Sequence, residues 1–187
     1  MKTRNFVSAA VLAVTVMFTS NQASAQEKTV MVGGAAMYPS KNIVENAVNS
    51  KDHTTLVAAV KAADLVETLS GKGPFTVFAP TNAAFDKLPK GTVETLLKPE
   101  NKKMLQGVLT YHVVAGKWNA NDIAKAIKAG GGKTELKTVQ GGKLWAMMDG
   151  KKLVLKDEKG MTSTVTIADV NQSNGVIHVV DAVLMHN

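Results

Sequence analysis

Hydrophobic residues recur at two spacings along the chain, a helical spacing up to about residue 130 and a strand-like alternation beyond it. In the first part, apolar residues return every three or four positions, as on one face of an α-helix. The longest such stripe runs from Asp52 to Leu69 and predicts one helix that ends before Gly71. Further helices are predicted over Asn42–Val48, over Thr92–Leu97, from Pro99 onward with Met104, Leu105, Val108 and Leu109 buried, and from a cap at Asn121.

The last third of the chain is predicted to form strands. Apolar and polar residues alternate there in short segments bounded by turn residues, and Asp149-Gly150 is a tight-hairpin signal. Helices followed by strands indicate an α+β fold class. The predicted strands are Glu135–Val139, Lys143–Met148, Lys152–Lys156, Ser163–Val170 and Val176–Leu184.

One segment, from Gly73 to Pro89, reads GPFTVFAPTNAAFDKLP and predicts a strand joined directly to a helix. The strand covers Phe75 to Phe78, which are β-branched or aromatic residues. Pro80 lacks a backbone N–H and disfavours the α region for the residue before it, so the strand is predicted to stop there.

The helix that follows is predicted to begin at Thr81 or Asn82, either of which can cap its first turn. Phe85 and Leu88 then fall on the inward face of this helix. The segment is therefore expected to hold the sheet and the helical part together.

Two more segments have the same character, Leu109–Val114 (LTYHVV) and Asn174–Leu184 (NGVIHVVDAVL). Together and in this order, the three segments resemble the signatures of the fasciclin-like domain, an extracellular adhesion module. The resemblance runs from about Tyr38 to Leu184 and is closest to small, single-domain secreted bacterial members. It implies a wedge of two β-sheets of about seven strands, with the helical N-terminal half packed around it. The ending Met185–Asn187 departs from the apolar-then-proline finish of the family.

Residues 1–25 are predicted to be a secretory signal peptide. Lys2 and Arg4 form a basic start, Phe6–Phe18 is an apolar run, and Ala23-Ser24-Ala25 is a small-residue cleavage site. The run is shorter than the roughly 20 residues of a membrane span, so we expect no transmembrane segment. We expect export, with the mature protein in the periplasm or at the cell surface after cleavage near Ala25.

The remaining residues are predicted to form a short arm and one domain. Residues 26–37 are small, glycine-bearing and weakly patterned, and are expected to be a flexible arm. Residues 38–187 suit a single domain, which we expect to be monomeric. The sequence contains no cysteine, so disulfides and thiol chemistry are excluded.

The charge is mildly basic and limits the kinds of partner. The whole chain carries a net charge of +7, and without Lys2 and Arg4 it has 20 basic and 15 acidic residues, a net +5. Such an excess favours anionic envelope components, although lysines spread along the chain also fit a solubilising surface. Export and the few aromatic residues argue against nucleic acid.

Tyr111-His112 is the first candidate contact site. In animal members of the resembled family, this segment has been linked to integrin binding, so the location is carried over as a candidate partner-binding surface. The alternative, which we favour, is structural. Tyr111 then packs its ring, and His112 donates a hydrogen bond to a backbone carbonyl or to Asp181, because a buried ring nitrogen needs such a partner.

No catalytic or metal site is predicted. His178 shares a strand face with Val176 and Val180, whereas Asp181 takes the other face, so these two cannot converge within one regular strand. His178 is expected to be a satisfied core residue. The sequence has no nucleophile elbow and no phosphate-binding glycine loop, and we predict neither enzyme activity nor a cofactor.

Aromatic and methionine residues offer a second kind of surface. Alternation from Lys143 to Met148 places Trp145 and Met147 on one face and Leu144, Ala146 and Met148 on the other. Together with Met161, they fit either ordinary core or an apolar ligand groove. Trp118, in a loop after Gly116, is predicted to be the more exposed aromatic and a candidate partner-binding residue.

These observations predict an exported adhesion or interaction module that acts through its surface. It is expected to mediate cell-surface, matrix or cell–cell attachment by binding a surface or matrix protein or a polysaccharide. The alternative is an extracytoplasmic binding protein for a lipid or other apolar small molecule.

Overall fold

The structure is a computed structural model that describes residues 27–186. The predicted signal peptide and its cleavage site lie outside the described residues. Within them, the chain forms short helices followed by a run of antiparallel strands. The α-helices are α1 (Ile43–Ala47), α2 (Thr54–Ala62), α3 (Val66–Ser70), α4 (Asn82–Asp86), α5 (Thr92–Leu96), α6 (Lys102–Tyr111) and α7 (Ala120–Ala129), with 3₁₀ turns at Lys51–His53 and Pro99–Asn101.

Two sheets are present among these residues, a two-stranded hairpin and a seven-stranded sheet of order β4-β3-β9-β8-β7-β6-β5. The β3–β9 pair is parallel, whereas the other neighbours are antiparallel. A single bridge between Val114 and Thr138 joins the two ends of the large sheet, which therefore almost closes on itself. The strands are β1 (Val30–Val32), β2 (Ala35–Met37), β3 (Phe75–Pro80), β4 (Val113–Ala115), β5 (Lys133–Lys137), β6 (Lys143–Asp149), β7 (Lys152–Lys156), β8 (Thr162–Gln172) and β9 (Gly175–Val180).

The long strand β8 divides the large sheet into two halves. Its first part pairs with β7 and its second part with β9, and the pairing register shifts twice between Val165 and Val170. Such irregularities bend a strand and increase its twist. Asp169, within this irregular stretch, has a φ of +59°. The α+β class and the wedge of about seven strands are confirmed.

Each half of the sheet has its own core. One core packs α1–α6 against β3 and β9, with Ile43, Leu56 and Ile177 among its buried residues. The other packs α7 against the inner face of β5–β7 through Ile123 and Ile127. Helix α7 therefore covers only the inner face of that half.

The predicted helix over Asp52–Leu69 is wrong, because the chain breaks it at Asp64. Asp64 has a φ of +55°, in the left-handed region. The N–H of Leu65 then donates to the carbonyl of Val60 at 3.0 Å, the bond of a Schellman-type helix end. Leu65 also packs on the helical core. A helix thus ends without glycine, and α3 starts in a new direction.

The predicted flexible arm is also wrong for residues 30–37. They form the β1–β2 hairpin, which turns at Gly33 and Gly34 with φ values of +56° and +76°. Val32 and Met37 are 1% and 2% exposed, so both side chains belong to the core. Alternation of apolar residues across only three positions per strand is too short a signal to show this.

The strand-to-helix segment is close to its prediction, with a longer strand. Strand β3 continues to Pro80, which pairs with Val180. The N–H of Thr81 donates to the carbonyl of Val180, so the position of Pro80 faces the other side of the ladder, beyond the end of β4. Its missing N–H therefore leaves no bond unmade there. Thr81 caps α4, with Oγ1 accepting from the N–H of Ala84 at 3.3 Å.

Three smaller expectations also change. Asn82 does not cap α4 but ties it to α2, since Oδ1 accepts from the N–H of Thr55 at 3.0 Å. Helix α7 begins after Asn119, not Asn121, and Asp169 Oδ1 accepts from the N–H of Ala120 at 2.7 Å. Met104, expected inside, is 57% exposed on α6.

Candidate functional site

Tyr111 lies at the end of α6 and is fully buried. Its hydroxyl donates to the main-chain carbonyl of Lys143 at 2.6 Å and accepts from the N–H of Glu158 at 3.2 Å. Burial raises the pKa of Tyr111 to about 12, because it penalises the phenolate. The side chain thus joins α6 to β6 and to the β7–β8 turn.

His112 is the next residue and is also buried, with 3% of its surface exposed. Its Nδ1 donates to the carbonyl of Val108 at 2.8 Å, and its Nε2 accepts from the N–H of Leu184 at 3.0 Å. Burial lowers the pKa of His112 to about 4, so the ring is neutral at physiological pH. Both ring nitrogens are engaged with the main chain of the domain itself.

Asp181 was a possible partner of His112 and has a different role. Its Oδ1 accepts from the N–H of Thr164 at 2.7 Å. Lys87 Nζ donates to the main-chain carbonyl of Asp181 at 2.6 Å and lies 3.9 Å from its Oδ2. Asp181 therefore ties β8 and α4 to the end of β9.

His178 is fully buried in β9 and stacks on Phe78, with ring centroids 5.6 Å apart and an interplanar angle of 25°. Its Nε2 donates to the carbonyl of Trp118 at 2.8 Å, and its Nδ1 accepts from the N–H of Asp169 at 3.3 Å. Burial lowers the pKa of His178. His178 is therefore a core histidine whose two ring nitrogens both form hydrogen bonds.

Trp118, predicted to be the more exposed aromatic, is half-buried. The loop is held by its main chain, because the N–H of Trp118 donates to Thr76 Oγ1 at 2.9 Å. The indole packs against the core under α7, and its Nε1 donates to the carbonyl of Ala115 at 3.2 Å. These contacts reduce the surface that Trp118 offers to a partner.

The outer face of β5–β7 carries apolar side chains flanked by lysines. The sequence predicted only that Trp145 and Met147 share a face. Trp145 pairs across the ladder with Glu135 and Lys156, and Met147 pairs with Lys133 and Val154. Leu144 and Ala146, on the inner face, are fully buried. We define the lysine-framed face as the half-buried strip Trp145, Met147 and Val154 with the exposed lysines Lys133, Lys137, Lys143, Lys152, Lys156 and Lys159.

Three acidic residues in or beside this face have internal partners. Glu135 Oε2 lies 3.2 Å from Lys143 Nζ, and Glu158 Oε1 accepts from the N–H of Lys143 at 2.9 Å. Asp157 is 1% exposed, and its two oxygens accept from the N–H groups of Met161 and Met185. Within residues 27–186, Lys133, Lys156 and Lys159 form no salt bridge. These lysines therefore leave uncompensated positive charge on the face.

A groove of about 440 Å³ crosses the lysine-framed face. Trp145 and Met147 line it together with Lys133 and the β7–β8 turn at residues 156–160. Alternation in β6 predicted the shared face of Trp145 and Met147. The lysines reach the groove from other strands, so only the pairing register could reveal them.

A second cavity, of about 40 Å³, lies in the core between α1–α3 and the β3–β9 pair. Its lining is almost entirely apolar and also includes His53, Lys61 and His112. His53 is 2% exposed, its Nδ1 lies 2.9 Å from Ser50 Oγ, and burial lowers its pKa.

The part of the chain that the structure describes has neither a cluster of metal-binding side chains nor a helix suited to a membrane span. No three His, Asp or Glu side chains converge there in an arrangement suited to a metal ion. None of the helices between residues 27 and 186 has the length and apolar character needed to cross a bilayer.

Comparisons with known proteins place the chain in a family. The sequence model of the fasciclin domain matches residues 51–186. Protein sll1483 of Synechocystis sp. is 50% identical over 160 residues, covering 85% of this chain and 81% of that protein. The immunogenic protein MPB70 of Mycobacterium bovis is 35% identical over 144 residues, covering 74% of this chain and 66% of that protein. The chain belongs to the fasciclin domain family.

The fold agrees with that assignment. A FAS1 domain pair from the insect cell adhesion molecule Fasciclin I superposes with a TM-score of 0.71, covering 79% of this chain and 52% of that chain. Sequence identity in this comparison is 17%, so it supports the fold alone.

Proposed function

We propose that the protein is an exported, non-catalytic attachment module that binds a cell-surface or matrix component through the lysine-framed face. The observation that carries this proposal is the uncovered outer face of β5–β7, where an apolar strip runs between exposed lysines. Apolar patches rimmed by polar residues mark interaction sites. The positive rim favours a negatively charged partner and raises its rate of encounter.

Relatives support an attachment role outside the cytoplasm. The mycobacterial cell surface glycolipoprotein MPB83 is 33% identical to the chain over 159 residues. This relative and the signal-like residues 1–25 support export and action at a surface. We propose that the protein works as a monomer.

The buried polar groups support a non-catalytic role. The polar side-chain atoms of Tyr111, His112 and His178 form hydrogen bonds to the main chain. Ser163 Oγ likewise donates to the carbonyl of Ala182 and accepts from its N–H. Within the described residues, these groups hold the fold together and do not converge on an open pocket as a nucleophile and base would.

The alternative of a lipid-binding protein is less well supported. The apolar cavity measures about 40 Å³, far below the roughly 300–1,000 Å³ of ligand pockets. A lipid would have to displace the core residues of α1–α3. Native mass spectrometry of freshly purified protein tests this alternative, which predicts a retained ligand mass.

The attachment proposal is tested with two charge variants of the same net charge. Lys133→Glu with Lys156→Glu reverses charge on the lysine-framed face, whereas Lys90→Glu with Lys98→Glu does so in the exposed loops beside α5. We expect the first variant to lose binding to bacterial envelope fractions and the second to keep it. Equal loss in both would indicate a general charge effect, and full binding by the first would refute the proposed face.

A further inference from the structure

We infer that the groove on the lysine-framed face binds a linear acidic polysaccharide, with a sugar ring lying on Trp145 and its anionic groups meeting the flanking lysines. This inference rests on the proposed function and names the class of its partner. The groove volume of about 440 Å³ falls within the range of small-ligand sites. It is open along the surface, as a site for a polymer must be.

The floor of the groove decides what kind of surface can lie on it. Trp145 and Met147 are both half-buried, and their strand β6 has partners on both sides. An interior strand offers no free edge, so a peptide cannot bind here by adding a strand. The indole presents a broad apolar surface, which suits the apolar C–H face of a pyranose ring.

The position of Trp145 also argues against a membrane surface. Residues that enter a bilayer interface stand out from the protein so that their apolar part reaches the acyl boundary. Here the apolar residues form the floor and the exposed lysines form the rim. A bilayer would meet the rim first, whereas a narrow chain can reach the floor.

The lysines are placed on both sides of that floor. Lys133 lies on β5 opposite Met147, and Lys156 lies on β7 opposite Trp145. Because neighbouring strands are roughly 4.8 Å apart, the two lysines are separated by about 10 Å across the sheet. Lys159 adds a third positive charge at the turn. A polymer that carries an anionic group on successive sugars can reach more than one of them.

Acidic side chains do not oppose such a ligand strongly. The carboxylate of Asp157 is buried and bonded to two main-chain N–H groups, and Glu135 is paired with Lys143. Glu158 also lines the groove, and its Oε1 accepts from the main-chain N–H of Lys143 at 2.9 Å. The remaining positive field is therefore directed at the groove, where a polyanion gains most from it.

The test measures binding of polygalacturonate, a uronic acid polymer, by titration calorimetry at low and physiological salt. Pullulan serves as a neutral polysaccharide and polyglutamate as a polyanion without sugar. We expect saturable binding of polygalacturonate that weakens with salt, and much weaker binding of both controls.

Variants separate stacking from charge. We expect Trp145→Ala to weaken polygalacturonate binding about tenfold, as loss of a central aromatic contact does. Lys133→Glu with Lys156→Glu should abolish it, and Lys90→Glu with Lys98→Glu should leave it unchanged. Circular dichroism melting curves must show that each variant is folded. If Trp145→Ala unfolds, Trp145→Phe tests the aromatic contact in its place, and we expect it to keep most of the affinity.

Three results would overturn the inference in different ways. If polyglutamate binds as tightly as polygalacturonate and Trp145→Ala does not change the affinity, the face recognises negative charge alone and not a sugar. Single-stranded DNA outcompeting polygalacturonate at Trp145 would indicate a nucleic-acid groove. If polygalacturonate does not bind but the Lys133/Lys156 variant still loses attachment to envelope fractions, the partner is another macromolecule and the proposed function stands.

Discussion

The imidazole of His112 accepts a hydrogen bond from the main-chain N–H of Leu184 at 3.0 Å, which ties the end of α6 to the segment after β9. The same ring donates to the carbonyl of Val108, so one side chain joins parts of the chain that lie 72 residues apart. The most conspicuous polar pair of the sequence, Tyr111-His112, is thereby used inside the domain.

Replacing His112 should therefore act on stability. His112→Ala leaves the N–H of Leu184 and the carbonyl of Val108 without their buried partner, which is expected to cost roughly 1–3 kcal/mol of unfolding free energy. Urea denaturation checks this value, and attachment measured on the folded fraction should equal that of the wild type. An unchanged denaturation midpoint with lost attachment would instead make this segment a contact site.

Acid should destabilise the fold. His53, His112 and His178 all have lowered pKa values in the folded state, about 4 for His112, against about 6.5 in the unfolded chain. Between those values the unfolded chain binds protons that the folded one excludes, so stability rises with pH there. We expect the unfolding free energy to have its full value above pH 6.5 and to fall on acidification below it, with His112 contributing up to about 1.4 kcal/mol per pH unit down to about pH 4.

A His112→Leu variant provides the control for this acid limb, because it cannot titrate at that position. Its stability should fall less steeply between pH 6.5 and pH 4 than that of the wild type. Identical slopes would show that His112 is not excluded from protonation in the folded state.

Base should act through Tyr111. Its pKa is raised to about 12 by burial, whereas a tyrosine in the unfolded chain titrates near 10. The unfolded chain therefore loses a proton first, and stability should decline as pH rises above about 10. Tyr111→Phe should flatten this decline, which guanidinium titrations at pH 9 to 11 can measure.

The junction between sheet and helix should be sensitive to truncation. Phe78 is fully buried and stacks on His178, and Phe85 is 7% exposed in the helical core. Phe78→Ala or Phe85→Ala is expected to cost about 3–5 kcal/mol, a large part of a typical total of about 5–15 kcal/mol. Poor expression and early urea midpoints would agree with this. Near-wild-type midpoints for both would contradict it.

Chelators and reducing agents should leave the melting temperature unchanged. The chain has no cysteine, and residues 27–186 contain no converging set of metal ligands. Calorimetric scans with and without a chelator test this expectation. A lowered melting temperature in the chelated sample would reveal a bound ion that contributes to the fold.

Local chemistry was sufficient to predict much of the fold. Thr81 caps α4, and Gly150 lies in the turn between β6 and β7, because both features depend on residues only a few positions apart. Alternation along Lys143–Met148 likewise predicted that Trp145 and Met147 share a face, since side chains in a strand point to opposite sides in turn.

Contacts between distant residues decided the rest. Strand β3 extends to Pro80 because Val180 pairs beside it. The β1–β2 hairpin forms because Val32 and Met37 pack into the helical core. The lysine-framed face arises when strand pairing brings Lys133 and Lys156 to either side of the strip on β6. The sequence by itself determined which side of each strand these residues occupy, whereas strand order and register, which depend on long-range pairing, determined that they meet.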